Sequence, residues 1–337
     1  QTTAFVLGKK AELGYLGTYA RLIEPTTQDG KEEMFLLMKK GSEQCSVISD
    51  QTPALVPTDH CPLTTDHSFH HADQQNFTKI PGAPVAYWAS VELIRSFDNG
   101  KKLSTVCDTR KGLATSDNNR FLKLWHEVGF SCIGFNCESY SDTQSSSYRW
   151  FPLNKGGEFR RWYGNREYVI NWENDGYEIR NFRDSTGKLM SRPQNTQYNF
   201  KQALTWSKIS SSIFSARLSE GGFLFDDAAA ICYTEDVDKL TQILGFLNSK
   251  CCQEQLSILN PTVNVQIGDI GNLSILSYDN RARNFILQCV SDAKADWDSF
   301  EFSWDFKRHP MISEQFSVVS GQVSNRGGQP SSDHCSL

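Results

Sequence analysis

The sequence predicts an α/β protein built on a mixed sheet, and three observations carry that prediction. Short apolar runs bounded by Gly, Asn and Pro recur from the first residues to about Tyr233, as strands do. Stretches whose apolar residues fall at helical spacing are interleaved with them, the clearest at Leu240, Ile243, Leu244 and Leu247. Apolar residues make up 39% of the 337 residues and aromatics 12%, enough for a packed core and a length that suits about two domains. No run of about 18 apolar residues occurs, so no membrane-spanning helix is expected.

The elements follow in order. Thr3 to Leu7 and Thr18 to Ile23 read as two strands of a hairpin, with Gly14 and Gly17 between them. Lys31 to Lys40 reads as a helix, with Met34, Phe35 and Met38 at helical spacing. A hairpin needs a larger sheet to join, so this segment reads as the closing edge of a domain. From Gly41 to Asp73 no period persists, and Pro, Thr, Ser, Asp, Cys and His dominate; the stretch reads as linker or loop. It holds His60, His67, His70 and His71 with Cys45 and Cys61, but not the spacing of a four-ligand zinc site, so no metal is expected. Pro81-Gly82-Ala83-Pro84 is expected to start a helix that puts Tyr87, Trp88, Val91 and Ile94 on one face, and Asn99-Gly100 to end it. A second helix, capped by Thr234 or Asp236, carries Leu240 to Leu247 and continues to Cys251. Ser317 to Leu337 is rich in Ser, Gly and Gln and reads as disordered or aberrant.

A formal net charge of -5 counts against a uniformly basic nucleic-acid binder. The charge is uneven, however. Lys101, Lys102, Arg110, Lys111, Arg120 and Lys123 face only Asp108 and Asp117 between 101 and 123, and Tyr198 to Arg217 holds no acid, whereas Asp292 to Asp305 is acidic. Such a chain fits a basic working face with an acidic back. Of the ten cysteines, Cys132, Cys232, Cys251 and Cys289 sit in apolar context, where buried reduced thiols are commonest, and a cytoplasmic protein is expected. The opening Gln-Thr-Thr-Ala-Phe-Val-Leu has neither an initiator Met nor a signal-peptide n-region, as expected of a chain that begins inside a longer protein or has been processed.

Four segments are candidates for chemistry. In the first, Arg110, Lys111, Thr115, Asn118, Asn119 and Arg120 set amide and hydroxyl groups beside guanidinium groups, the donors that base edges and phosphates require; the alternative is a solvated turn. In the second, Lys155, Arg160 and Arg161 alternate with Phe159, Trp162 and Tyr163, and Gly156-Gly157 would let backbone amides approach a ligand. Its alternative is a surface loop anchored by aromatics. The third, Thr205 to Phe214, carries Lys208 and a Ser cluster, or is simply an edge strand. The fourth contains Asn260-Pro261, which lacks the second Pro and the aromatic ring of an amino-methyltransferase motif and is rejected as catalytic.

Seven strings in order resemble one family. They begin at Gly17 (Gly-Thr-Tyr-Ala-Arg-Leu-Ile), Lys79 (Lys-Ile-Pro-Gly-Ala-Pro-Val-Ala-Tyr-Trp), Thr115 (Thr-Ser-Asp-Asn-Asn-Arg-Phe-Leu), Trp150 (Trp-Phe-Pro-Leu-Asn-Lys-Gly-Gly-Glu-Phe-Arg), Asn171 (Asn-Trp-Glu-Asn-Asp-Gly), Thr205 (Thr-Trp-Ser-Lys-Ile-Ser-Ser) and Leu244 (Leu-Gly-Phe-Leu-Asn-Ser-Lys). Together they resemble the PglX family, adenine-specific DNA methyltransferases of BREX phage-defence systems and relatives of the type IIG restriction-modification enzymes. The resemblance implies that 1–40 is the C-terminal tail of a Rossmann-like methyltransferase domain and 79–310 a mixed-sheet DNA target-recognition domain. The segments 41–78 and 311–337 are then a linker or aberrant segment and a disordered or aberrant tail, for which frame shifts would account. It further implies an S-adenosyl-L-methionine donor, a flipped adenine, cytoplasmic double-stranded DNA as substrate and other phage-defence proteins as partners, with no membrane. The Gly-rich cofactor loop and the Asn-Pro-Pro-aromatic motif are missing from this sequence, so no catalytic or cofactor residue is expected in it. On this reading Lys155, Arg160, Arg161 and Lys208 anchor phosphates, and the loop around Thr115, Asn118, Asn119 and Arg120 reads base edges. Two rivals stand beside it: a DNA-specificity subunit serving a separate methyltransferase, and a binder of another ligand, such as carbohydrate, through its Trp-rich loops.

Overall fold

A computed structural model of the chain describes residues 15–22, 26–49, 69–135, 137–209, 213–276 and 281–312. The expected strand Thr3–Leu7, the residues Cys45, His60, Cys61 and His67, the serines 210–212 and the tail 317–337 lie outside what is described of backbone or side chain. The chain divides into two compact units, one of residues 1–101 with 257–259 and one of 102–256 with 260–337. Among the described residues no helix is long and apolar enough to cross a membrane.

In the first unit, β1 (Leu16–Ala20) pairs antiparallel with β2 (Phe69–Asp73), Leu16 opposite Asp73. Between them runs α1 (Gln28–Ser49). Two parts of the expected linker are therefore regular structure: the helix passes Gly41, and Phe69–Asp73 is a strand. The hydrogen bonds of β2 come from a partner far back in the chain, and five residues without alternation give no periodic signal. The next helix, α2 (Val91–Asn99), starts later than expected. Gly82 and Ala83 have φ of 83° and 46° and form a turn, whereas Ser90 accepts a 3.1 Å bond from the Leu93 amide and caps the helix. Tyr87 and Trp88 thus precede it, and Gly100 ends it as read. Ile80, Ala86, Ile94 and Phe97 close a small core with Ile258. The short strand β3 (Lys101–Lys102) follows at the boundary of the units.

The second unit is mixed α/β with two four-stranded sheets among its described residues. Its elements are β4 (Asp108–Arg110), α3 (Asn118–Phe121), β5 (Leu122–Leu124), α4 (Tyr140–Ser145), β6 (Trp150–Asn154), β7 (Tyr168–Asn171), α5 (Glu173–Arg180), β8 (Ala203–Trp206), β9 (Ala216–Ser219), β10 (Leu224–Phe225) and β11 (Ile231–Tyr233). After these come α6 (Val237–Leu247), α7 (Lys250–Leu259), α8 (Ile267–Gly271), β12 (Ser274–Ile275) and α9 (Arg281–Trp297). One sheet has the order β10-β6-β7-β5, with β10 parallel to β6 and the other neighbours antiparallel. The other, β4-β11-β8-β9, is antiparallel throughout. β8 is an inner strand and all four of its residues are buried, so the edge-strand alternative for Thr205–Phe214 does not hold. The main core gathers Phe121, Phe151, Leu153, Ile170, Trp172, Ile179, Phe200 and Leu224, its strand residues all from the β10-β6-β7-β5 sheet, with Ile179 from α5.

The expected helix to Cys251 is two helices. Asn248 ends α6, and Ser249 accepts a 3.2 Å bond from the Cys252 amide to start α7. Asp236 caps α6, taking a 3.0 Å bond from the Lys239 amide. Cys107, Cys137, Cys232 and Cys252 are buried thiols, whereas Cys132 is exposed on a 3-10 turn that leads into Ile133. Its apolar neighbours in sequence do not surround it in space.

Candidate nucleic-acid interface

β4 is an edge strand, and the loop that follows it is the first candidate segment. Gly112 presses that loop onto Phe225: a Cβ there would lie 2.0 Å from the Phe225 carbonyl oxygen, so only glycine fits. Leu113 donates to Phe225 O at 3.0 Å and accepts from the Asp227 amide at 3.0 Å. Ala114 and Arg192 exchange both backbone hydrogen bonds, at 2.8 and 3.0 Å. Thr115 is buried and donates through Oγ1 to Asn118 Oδ1 at 2.6 Å, so it positions Asn118 and presents nothing outward. Asp117 caps α3 by accepting from the Arg120 amide at 3.1 Å, and Asn118, Asn119 and Arg120 stand exposed on that single turn. The Arg120 guanidinium lies 5.1 and 5.2 Å from the ring centres of Phe121 and Phe182, and 3.4 Å from Glu178.

A second stretch, 182–201, lines the same loop, and the sequence reading did not single it out. Asn195 Nδ2 donates to Lys111 O at 2.9 Å, Gln194 Nε2 to Gly112 O at 2.8 Å, and Ser116 Oγ to Met190 O at 2.6 Å. The Tyr198 hydroxyl donates to Asp108 at 3.1 Å, and Arg110 holds the same carboxylate at 2.6 Å while stacking over the Tyr198 ring. Lys201 lies 4.9 Å from the centre of the Tyr233 ring. The signal that could have found this stretch is its charge. Arg183, Lys188, Arg192 and Lys201 stand against a single acid, Asp184, in a chain whose net charge is negative.

Of the cations of the second and third segments, Lys155 and Lys208 turn inward to carboxylates of the chain, and Arg160 meets one at the surface. Lys155 lies 2.9 Å from Asp226, Lys208 2.7 Å from Asp227 and Arg160 3.1 Å from Asp296. Arg160 also stacks on Trp297, and the Nε of Arg161 is buried. The turn Asp226–Ala229 therefore gathers three of the four candidate segments: Leu113 bonds to its start, Lys155 to its first carboxylate and Lys208 to its second. Burial pushes the Asp226 carboxyl above its ordinary value, with Lys155 and the amides of Ala228 and Ala229 pulling it back. Gly156 and Gly157 serve packing rather than ligand approach. The place of a Cβ on Gly156 is taken by Ala228 O at 2.6 Å, that on Gly157 by the Asn165 side chain at 2.9 Å, and the Gly157 amide donates to Ser207. Arg217 is fully buried beside Ser207, and burial draws its guanidinium down to about 10 against the opposing pull of Glu167.

The Asn260 side chain is not arranged for the transfer step that the sequence resemblance implies. Asn260, the one amide followed by Pro261, donates to Asn264 O at 2.8 Å and Asp269 at 2.6 Å, and its oxygen accepts from the Thr262 amide and hydroxyl. Its donors and its acceptor are committed to closing a turn, so none is available to an adenine amino group. Among the described residues no group of three or more His, Cys, Asp or Glu is arranged to hold a metal ion.

No protein-family model matches the chain. The chain is 36% identical over 315 residues, 93% of its length, to the adenine-specific methyltransferase PglX of Lacticaseibacillus casei (strain Zhang). It is 34% identical over 265 residues, 78% of its length, to the adenine-specific methyltransferase BrxX of Escherichia coli O9:H4 (strain HS). It spans 24% and 21% of the lengths of these relatives. Over the residues matched, the chain is thus similar to a part of two adenine-specific methyltransferases, PglX and BrxX.

Proposed function

We propose that this chain is the DNA target-recognition portion of a site-specific adenine DNA methyltransferase that serves phage defence. The observation that carries the reading is the face built from β4, the 111–120 loop and the 190–201 stretch: exposed Asn, Arg and Lys side chains with Tyr198 and Tyr233, fixed by backbone bonds to a rigid frame. Duplex DNA asks for cations toward phosphates and amide or guanidinium donors toward base edges. Lys111, Asn118, Asn119 and Arg120 keep the roles assigned from sequence. Lys155, Arg160 and Lys208 instead brace the frame, since phosphate would have to displace carboxylates already in contact. The whole enzyme would draw its methyl group from S-adenosyl-L-methionine through residues beyond those matched here. Residues 1–40 would be the tail of its Rossmann-like domain, a reading supported by the exposed Phe35, Leu36 and Leu37 of α1.

The test is binding of the full chain to labelled mixed-sequence duplexes across a salt series. Arg120→Ala and Lys111→Ala should each weaken binding, and each lost phosphate contact lowers the slope of log affinity on log salt by about one. No measurable duplex binding at low salt would overturn the proposal, and binding to polysaccharide instead would favour the carbohydrate rival.

A further inference from the structure

Resting on that reading, we infer that the β-ribbon Phe182–Ser191 is the element that enters the major groove, with Arg183 and Lys188 as its groove-facing cations. The ribbon is antiparallel and closes through Asp184-Ser-Thr-Gly-Lys188. Asp184 N donates to Lys188 O at 3.0 Å, Gly187 N to Asp184 O at 3.0 Å, and Met190 N to Phe182 O at 2.9 Å, with Arg183 opposite Leu189. Gly187, at φ 83°, supplies the left-handed residue the turn needs. The Asp184 carboxylate is consumed by the turn: it accepts from the amides of Thr186 and Lys188 and from the Thr186 hydroxyl. The tip is thus stiff before any ligand arrives, which limits the ordering cost of binding.

The base of the ribbon is clamped while its tip is free. The Phe182 ring packs edge-on against Phe121, Ser191 is buried and donates to Ile179 O, and Ser116 holds Met190. From Ser185 to Met190 every residue is exposed, including Leu189 at 40% and Met190 at 41%. A two-stranded ribbon with side chains is about 10 Å across and matches a major groove about 12 Å wide. The charge matches as well: Arg183, Lys188 and Arg192 point to a polyanion, and the one acid of the stretch is spent in the turn. The clamp also ties the ribbon to Asn119 and Arg120, so both would meet one segment of duplex.

The experiment uses the full chain, a randomised 20-bp duplex pool with sequencing of the bound fraction, and dimethyl sulfate footprinting on the recovered duplex. The expected result is an enriched sequence in which guanine N7, a major-groove atom, is protected. Arg183→Ala/Lys188→Ala should bind that duplex at least tenfold more weakly and lose the protection, with an unfolding midpoint changed little, because both side chains are exposed and Arg183 gives up a single exposed bond, to Gly187 O at 2.9 Å. Three outcomes overturn the inference while leaving DNA binding intact. They are a pool that binds without enrichment, protection of adenine N3 in the minor groove, and a double variant that keeps both affinity and footprint. Absence of binding by the parent chain overturns the underlying reading as well.

Discussion

At Asp226 one carboxylate oxygen holds Lys155 at 2.9 Å while the other accepts from the amides of Ala228 and Ala229. Both side chains of the pair are largely buried, so removing one leaves an uncompensated charge inside. Lys155→Met should destabilise the unit by about 3–5 kcal/mol in chemical denaturation, where a surface phosphate contact would cost almost nothing. The pH dependence has a definite sign. A carboxyl raised by burial contributes stability while protonated and loses it as pH rises through its folded value. Without Lys155 that value rises further, so the deficit should narrow on acidification and widen toward neutrality; a pH-independent deficit would contradict the ion pair. A second residue-scale case is Gly176. It follows Asn174 and Asp175 in the left-handed region, at φ 51°, 57° and 70° in turn, and a Cβ on it would meet the Trp172 ring at 2.7 Å. Gly176→Ala should therefore lower stability by about 1–3 kcal/mol in a thermal melt, and a neutral outcome would mean that Trp172 can move.

Among the elements, the junction of α6 with α7 explains why Leu-Asn-Ser-Lys is a compact signature. Asn248 Oδ1 accepts from the Ala216 amide and its Nδ2 donates to Ala216 O, both at 3.0 Å, binding the end of α6 to β9. Trp162 also donates to that carbonyl, so Asn248→Ala strands chiefly the amide. The expected loss is about 1–3 kcal/mol, measured by urea unfolding, and a loss near zero would show that water replaces the side chain. The elements also mark what was legible in the sequence. α6 was readable because Leu240, Ile243, Leu244 and Leu247 repeat at its own period and Asp236 caps it. β2 was not, because its partner β1 is remote. The helix expected at Pro84 begins at Ser90 because a side-chain cap competes successfully with a proline. In the candidate site, the exposure of Asn118, Asn119 and Arg120 was legible from their polar run, and the burial of Thr115 was not. The ion pairing of Lys155, Arg160 and Lys208 was not, since their carboxylate partners lie 19 to 136 residues away in the chain. The ribbon at 182–191 escaped because its bases are spaced as turn and strand residues and form no compact motif.

At the scale of the whole molecule, the proposed division of labour sets a limit on chemistry. With the Asn260 amide committed to its own turn, the full chain given radiolabelled S-adenosyl-L-methionine and duplex DNA should transfer no label, even under conditions in which the proposed duplex binding is measured. Transfer above background would assign the methyl-transfer machinery to this chain and overturn its reading as the recognition portion.

The backbone bonds between Ala114 and Arg192 have a consequence for how such proteins diversify. Two stretches nearly eighty residues apart in sequence are laced together at their base, so neither should carry an independent vocabulary. Chimaeras with a relative that trade only 113–121 should inherit a mismatched neighbour and bind poorly to either parent's preferred duplex, whereas trading 113–121 together with 182–196 should transplant the preference whole. Recombination that respects this pairing would let new specificities spread without disturbing the sheets beneath.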